Sequence, residues 1–278
     1  MAESTPPGAP AAMPGVRAFL TLAAMWVRVS LTYRTSFTLL LVSSLLITGL
    51  DFVAILVMFA NVDVLGGFDL PQIAFLYGAT SMAIGLADLV VGNVERLGTR
   101  IRTGTLDAMM VRPVSLFAQV CADEFALRRT GRIIQAVAVF GWALAHVEVD
   151  WDPARVLMVP VMVAAGTVIF TALFTLGGAF QFWTAESSEV ANAFTYGGNT
   201  LTQFPLTIFP KEAVRALTFV VPVAFVNWYP TLFVLGLEDP FGFPAVLQLC
   251  SPLAALALAG LAALGWRAGV RRYRSTGS

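Results

Sequence analysis

Four polar side chains recur along one otherwise apolar stretch of this chain: Asn192, Tyr196, Asn199 and Gln203, at intervals of four, three and four. On a helix that spacing gathers them into one stripe, and Glu189 continues it toward one end. Amides and a phenol offer reversible hydrogen bonding, either to a neighbouring helix or to a solute in a wet path. A polar stripe on a membrane helix must face protein or water rather than lipid, and both arrangements satisfy that demand. Two acids stand inside apolar runs, and a charge in hydrocarbon is costly, so it is paired or functional. Asp88, near the end of its run, is expected to reach the interface or to pair with a basic residue such as Arg96. Asp51 has no evident partner, and it either bonds a neighbouring span or serves a solute path. Nothing supports bond-making chemistry. The single histidine, His146, has no second His or Cys near it. No G-x-x-x-x-G-K-[ST] phosphate loop, no H-E-x-x-H and no Ser-His-Asp set can be found. Cys121 and Cys250 lie far apart and define neither a disulfide framework nor a metal spacing.

A second group of residues points to mechanical rather than chemical work. The stretch from Val94 to Arg132 holds seven of the seventeen basic residues: Arg96, Arg100, Arg102, Arg112, Arg128, Arg129 and Arg132. A basic segment between two membrane spans stays on the cytoplasmic side, and this one is too long and too patterned for a plain connector. Within it, Gly104 and Thr105 offer a helix start, with the Thr105 hydroxyl available to cap. Leu106, Met109 and Met110 then make a short apolar face, and Arg112–Pro113 ends the helix. The expected product is a short cytoplasmic helix with an apolar face and flanking arginines, suited to a groove on a protein partner or to an anionic lipid surface. Leu106→Asp is expected to abolish partner-stimulated work without blocking membrane insertion.

The elements that must carry these residues follow from composition. The chain is 58% hydrophobic and 12% charged, where a soluble domain carries about 25% charged residues. Several runs of about 20 apolar residues can each cross the hydrocarbon core as a helix. The chain therefore reads as an all-α polytopic membrane protein with six transmembrane helices. The expected spans are 36–60, 71–92, 132–147, 154–183, 190–209 and 244–266. In the last, Ala255, Ala259 and Ala263 permit close helix contact. Residues 1–15, rich in Pro, Ala and Gly, read as a disordered tail without a signal peptide. The rest, 16–274, forms one transmembrane domain. Residues 14–35 predict an amphipathic interfacial helix, with Phe19, Leu22, Trp26, Val29 and Tyr33 on one face and Arg17 and Arg28 on the other. Residues 213–236 are long enough to span but contain Pro222 and Pro230, which break helices. Both termini are basic and belong in the cytoplasm, so crossings must be even in number. Residues 213–236 are then an outer re-entrant hairpin, and fourteen of the seventeen basic residues lie inside.

The stretch GTLDAMMVRP, Gly104–Pro113, resembles the G-x-L-D-x-x-L-x-R-P pattern of the type-2 ABC exporter permeases (the ABC-2 superfamily), with Met110 at the usual Leu position. FPLTIFP, Phe204–Pro210, and VPVAFVNWYP, Val221–Pro230, are further echoes, and with hydropathy the resemblance covers most of residues 16–274. It implies a permease subunit with no ATPase motifs of its own. ATP and magnesium would be held by a separate ATPase subunit. The helix containing Arg102, Gly104, Thr105, Leu106, Asp107, Met110, Arg112 and Pro113 would be the coupling helix seated in that subunit. Asp51, Asn192, Tyr196, Asn199 and Gln203 become candidates for the translocation path, which would lie between the first, second and fifth spans of two permease chains, identical or related. The implied solutes are drugs, antibiotics, lipids or glycans. The implied place is the cell membrane, with both termini cytoplasmic and no nucleic-acid partner. Two other classes fit the composition: an ion-coupled carrier using Asp51 or Asp88, and a membrane scaffold or sensor without a solute path.

Overall fold

The computed structural model of the chain describes residues 15–184 and 188–274, apart from the side chains of residues 188–191 and 194. The expected tail at 1–15 lies outside the described residues except for Gly15. The elements in order are α1 (Gly15–Thr32), α2 (Arg34–Phe59), α3 (Leu70–Val91), α4 (Leu97–Arg102), α5 (Thr105–Met110), α6 (Leu116–Ala122), α7 (Thr130–His146), α8 (Pro153–Phe180), α9 (Ser188–Thr202), α10 (Lys211–Phe219), α11 (Trp228–Leu235) and α12 (Ser251–Arg272). Short 3₁₀ turns join several of them. Extended pairing among the described residues is confined to one bridge, Leu65 with Phe68.

Local sequence explains most boundaries. Asp69 accepts from the Gln72 backbone and Gln72 returns the bond to Asp69, a reciprocal cap that starts α3 with Pro71 in its first turn. Asp152 caps α8 in the same manner through the amides of Ala154 and Arg155. The expected fifth span runs too far: α9 ends at Thr202, because Pro205 has no amide proton and biases Phe204 away from helix. The last span is displaced. A 3₁₀ turn occupies Ala245–Leu249, and α12 continues six residues past Trp266 to Arg272. Its packed face is Ser251, Ala255, Leu258 and Ala262, while Ala263 is exposed, because a 3.6-residue turn drifts away from a strict spacing of four.

Among the described residues, five helices are long and apolar enough to cross a membrane: α1, α2, α3 with its extension to Arg102, α8 and α12. Helix α7 has 17 residues and α9 has 15, at and below the short end of the spanning range of about 17–25. The α10–α11 pair bends by 81°. Pro222 stands at that break, as expected of a residue without a backbone donor. Pro230 does not break anything, because it sits in the first turn of α11 where no intrahelical donor is required.

Helix α3 is the axis of the bundle. Ile73 through Ser81 are all buried, and α7, α8, α9 and α11 pack around them. A Cβ at Gly78 would stand 2.8 Å from the Phe140 Cα, so the α3 and α7 backbones touch at that level. Tyr77 of α3 donates to the Thr48 carbonyl of α2 at 3.1 Å and accepts from Gln135 of α7 at 3.3 Å, joining three helices. Helix α2 is otherwise the least covered long helix, with Leu39, Leu46, Ile47, Leu50 and Val57 exposed. Gly78→Val should destabilise the protein by about 1–3 kcal/mol through overpacking, read as a lower thermal midpoint in detergent, whereas Gly49→Val on α2, where a Cβ meets nothing, should leave the midpoint unchanged.

Candidate functional site

The segment between α3 and α7 folds into a compact platform around Arg100. Its guanidinium, nearly excluded from solvent, pairs with Asp123 at 2.9 Å and donates to the carbonyls of Asn93 at 3.1 Å and Val120 at 3.3 Å. The Asn93 amide in turn donates to the carbonyls of Cys121 and Asp123, at 3.2 and 2.7 Å. One cation thus fastens α4 and α6 to the end of α3. A second pair, Arg129 with Asp88 at 3.2 Å, fixes the start of α7 to the same place, and Arg129 also donates to the Asp88 carbonyl at 3.0 Å. The expected Asp88–Arg96 pairing is therefore not formed. The two lie eight residues apart, roughly 12 Å along a helix, and Arg96 turns instead to Glu124. The platform is also fastened to α8, where Gln181 accepts from the Gly98 amide. Gly178 lets Val94 approach so closely that a Cβ there would stand 1.9 Å from a Val94 methyl.

At the platform's tip lies α5, the expected docking helix, with its parts arranged differently from the sequence expectation. Gly104 precedes it with φ of 70°, a left-handed conformation that favours glycine. The Thr105 hydroxyl does not cap. It bonds back to the Arg100 carbonyl at 3.3 Å and to Thr103 at 3.1 Å. The helix ends at Met110, before Arg112–Pro113 is reached. Leu106 is fully buried rather than displayed, so Leu106→Asp places a charge in the core and tests folding, not docking. The Asp107 carboxylate accepts from the Tyr273 hydroxyl at 2.9 Å, joining the tip to the residue that follows α12. Burial, and then that bond, push the Tyr273 phenol up to about 12. Arg102 donates to the Thr99 hydroxyl at 3.2 Å. The solvent-facing apolar surface is Met110, 43% exposed, and Val111, 83% exposed, followed by exposed Arg112 and Pro113.

The polar stripe of α9 faces protein. Tyr196 meets Phe174 of α8 edge-on at 5.9 Å, and its hydroxyl donates to Glu95 at the root of the platform. Asn199 is buried, and the side-chain oxygens of Asn192 and Asn199 have no hydrogen-bond partner among the described residues. Gln203 is half-buried where α9 ends. The Glu189 side chain lies outside the described residues. Asp51 stands apart, exposed on α2 among exposed apolar side chains.

Sequence reading missed Asn227. Fully buried before α11, its amide nitrogen reaches the Leu76 carbonyl at 3.1 Å, the Thr80 hydroxyl at 2.7 Å and the Thr202 carbonyl. It fastens the bent α10–α11 pair to α3 and α9. The only sequence signal was an amide inside the apolar run VPVAFVNWYP. Arg100 was visible as one more arginine, and the acids Asp123 and Glu124 later in the segment were the clue to its pairing.

Long apolar helices packed around α3, with an ion-paired basic segment between α3 and α7, describe a multi-pass membrane protein. The model of the ABC-2 family transporter proteins matches residues 45–277, and the chain belongs to that family. It is a multi-pass permease of the ABC transporter class, whose members work with an ATP-binding partner subunit. No curated protein and no solved structure matches the chain.

Arg100→Met should remove the platform's central charge and strand Asp123. The expected cost is about 2 kcal/mol, because Asp123 remains 32% exposed and recovers some hydration. Arg112→Ala at the exposed tip should change thermal stability by no more than about 0.5 kcal/mol.

Proposed function

We propose that the chain is the transmembrane subunit of an ABC exporter that uses ATP hydrolysis on a separate subunit to expel an amphipathic solute. One observation carries this reading: the segment between α3 and α7 is a rigid, ion-paired block whose tip presents Met110, Val111 and Arg112 to solvent. A rigid block fixed to the ends of α3, α7, α8 and α12 transmits a push, where a loose loop would absorb it. The ATP-binding subunit, holding ATP and magnesium, seats the α5 tip in a groove. Its closure on nucleotide shifts the platform and tilts the attached helices.

The arrangement in the membrane has six crossings, α2, α3, α7, α8, α9 and α12. The α10–α11 pair re-enters from outside, and α1 lies in the interface. Both termini and the basic platform are cytoplasmic, in the cell membrane. A second permease chain covers the α2 face. An acid such as Asp51 is tolerated within a span only against protein or water, and neither is supplied by its own chain. Asn192, Tyr196, Asn199 and Gln203 border the path from the other side, where unpartnered amide oxygens can accept from a solute.

Met110→Asp combined with Val111→Asp should lower permease-dependent ATP hydrolysis and efflux by about ten-fold or more while leaving the thermal midpoint intact. Unchanged hydrolysis in a well-folded double variant would sink the docking role. Orientation has a separate test. Burial pushes the Cys121 thiol up to about 12, so it stays protonated and unreactive near neutral pH. A Val111→Cys variant, with Cys250 replaced by Ala, should then react with a membrane-impermeant maleimide only from the cytoplasmic side. Labelling from the exterior would reverse the topology.

A further inference from the structure

A crevice of about 390 Å³ opens between the α1–α2 elbow and the platform. Its apolar wall comes from Trp26 and Val29 of α1 and from Phe37 and Leu40 of α2. Its polar wall carries Arg96, Arg128 and Arg129. Of these cations, Arg96 pairs with Glu124 and Arg129 with Asp88. Arg128 is exposed and has no ion-pair or hydrogen-bond partner among the described residues. The start of α2, the end of α3 and the start of α7 all meet here, which places the crevice at a membrane surface whichever way the chain is oriented. A tryptophan, a tyrosine at the elbow (Tyr33) and an unpaired arginine beside an apolar wall match a phospholipid's headgroup region.

We propose that this crevice binds one anionic phospholipid, with its phosphate against Arg128 and the outer side of the Arg96–Glu124 pair. One acyl chain lies along Phe37 and Leu40 and onto the exposed face of α2. Charge and shape together select this occupant. The unpaired cation calls for an anion, and the apolar wall continues into the uncovered residues Leu39, Val42 and Leu46, which a free phosphate would leave wet. Basic pockets between spans at a membrane surface hold lipid headgroups by the same physics. The bound lipid would reinforce the packing of α1 on α6, and of α2 on the start of α7, that already joins this elbow to the platform.

The test uses the full chain in detergent and the fluorescence of Trp26, taken as wild type minus Trp26→Phe. Phosphatidylglycerol brominated on its acyl chains should quench this signal at concentrations about ten-fold lower than brominated phosphatidylcholine. Arg128→Glu should abolish that preference, whereas Arg271→Glu, at the far side of the platform beside α12, should preserve it. Arg128 makes no hydrogen bond or ion pair among the described residues and only attracts Asp88 from a distance, so an unchanged thermal midpoint in the variant separates loss of the lipid from loss of the fold. Equal quenching by the two lipids, or a preference that survives Arg128→Glu, would overturn the site. Relief of quenching by millimolar inorganic phosphate would reassign it to free phosphate and overturn the lipid. None of these readouts depends on transport or on the ATP-binding subunit, so the lipid site and the exporter reading fail or stand separately.

Discussion

A guanidinium shut away from water is tolerated only when every face of its charge is answered, and the basic platform of this permease is arranged around one such group. Arg100 meets Asp123 and two backbone carbonyls, and Asn93 secures the loop that supplies them. These bonds converge from residues 93, 120, 121 and 123, so the platform cannot loosen at one point without exposing a charge. Rigidity in a segment rich in arginine is therefore a consequence of desolvation. It makes the short helix α5 an extension of the bundle.

The same rule operates inside the bundle with neutral groups. Asn227 joins α11 to α3 and α9, Tyr77 joins α3 to α2 and α7, and Tyr196 links α9 to the platform through Glu95. In hydrocarbon a polar group has no water to fall back on, so each finds a neighbouring helix. The junctions all involve α3 or its continuation. The platform is thereby tied to the centre of the bundle. Helix α2 takes part through Tyr77, while its face around Asp51 stays exposed in this chain.

Much of this was legible in the chain itself. Hydropathy located the long helices, and Pro222 marked the bend between α10 and α11. The Gly104–Pro113 stretch identified the family that the match over residues 45–277 establishes. The errors share one cause. Leu106 was placed on an exposed face, and Arg96 was offered as a partner for Asp88. Each inference used sequence spacing within one element, whereas burial and pairing were decided by elements 28 to 41 residues distant or more, such as Glu124 for Arg96 and Arg129 for Asp88.

Sequence alone determined which segments are apolar enough to be helices in a membrane and which basic segment cannot enter it, because transfer energies depend on residue type and run length. Only the tertiary structure decided which arginines of the platform are ion-paired, which leucine is core and which valine is surface, and where an asparagine in an apolar run finds its partners. Those outcomes depend on which helices come within about 3 Å of one another, a distance that no spacing along a single helix encodes.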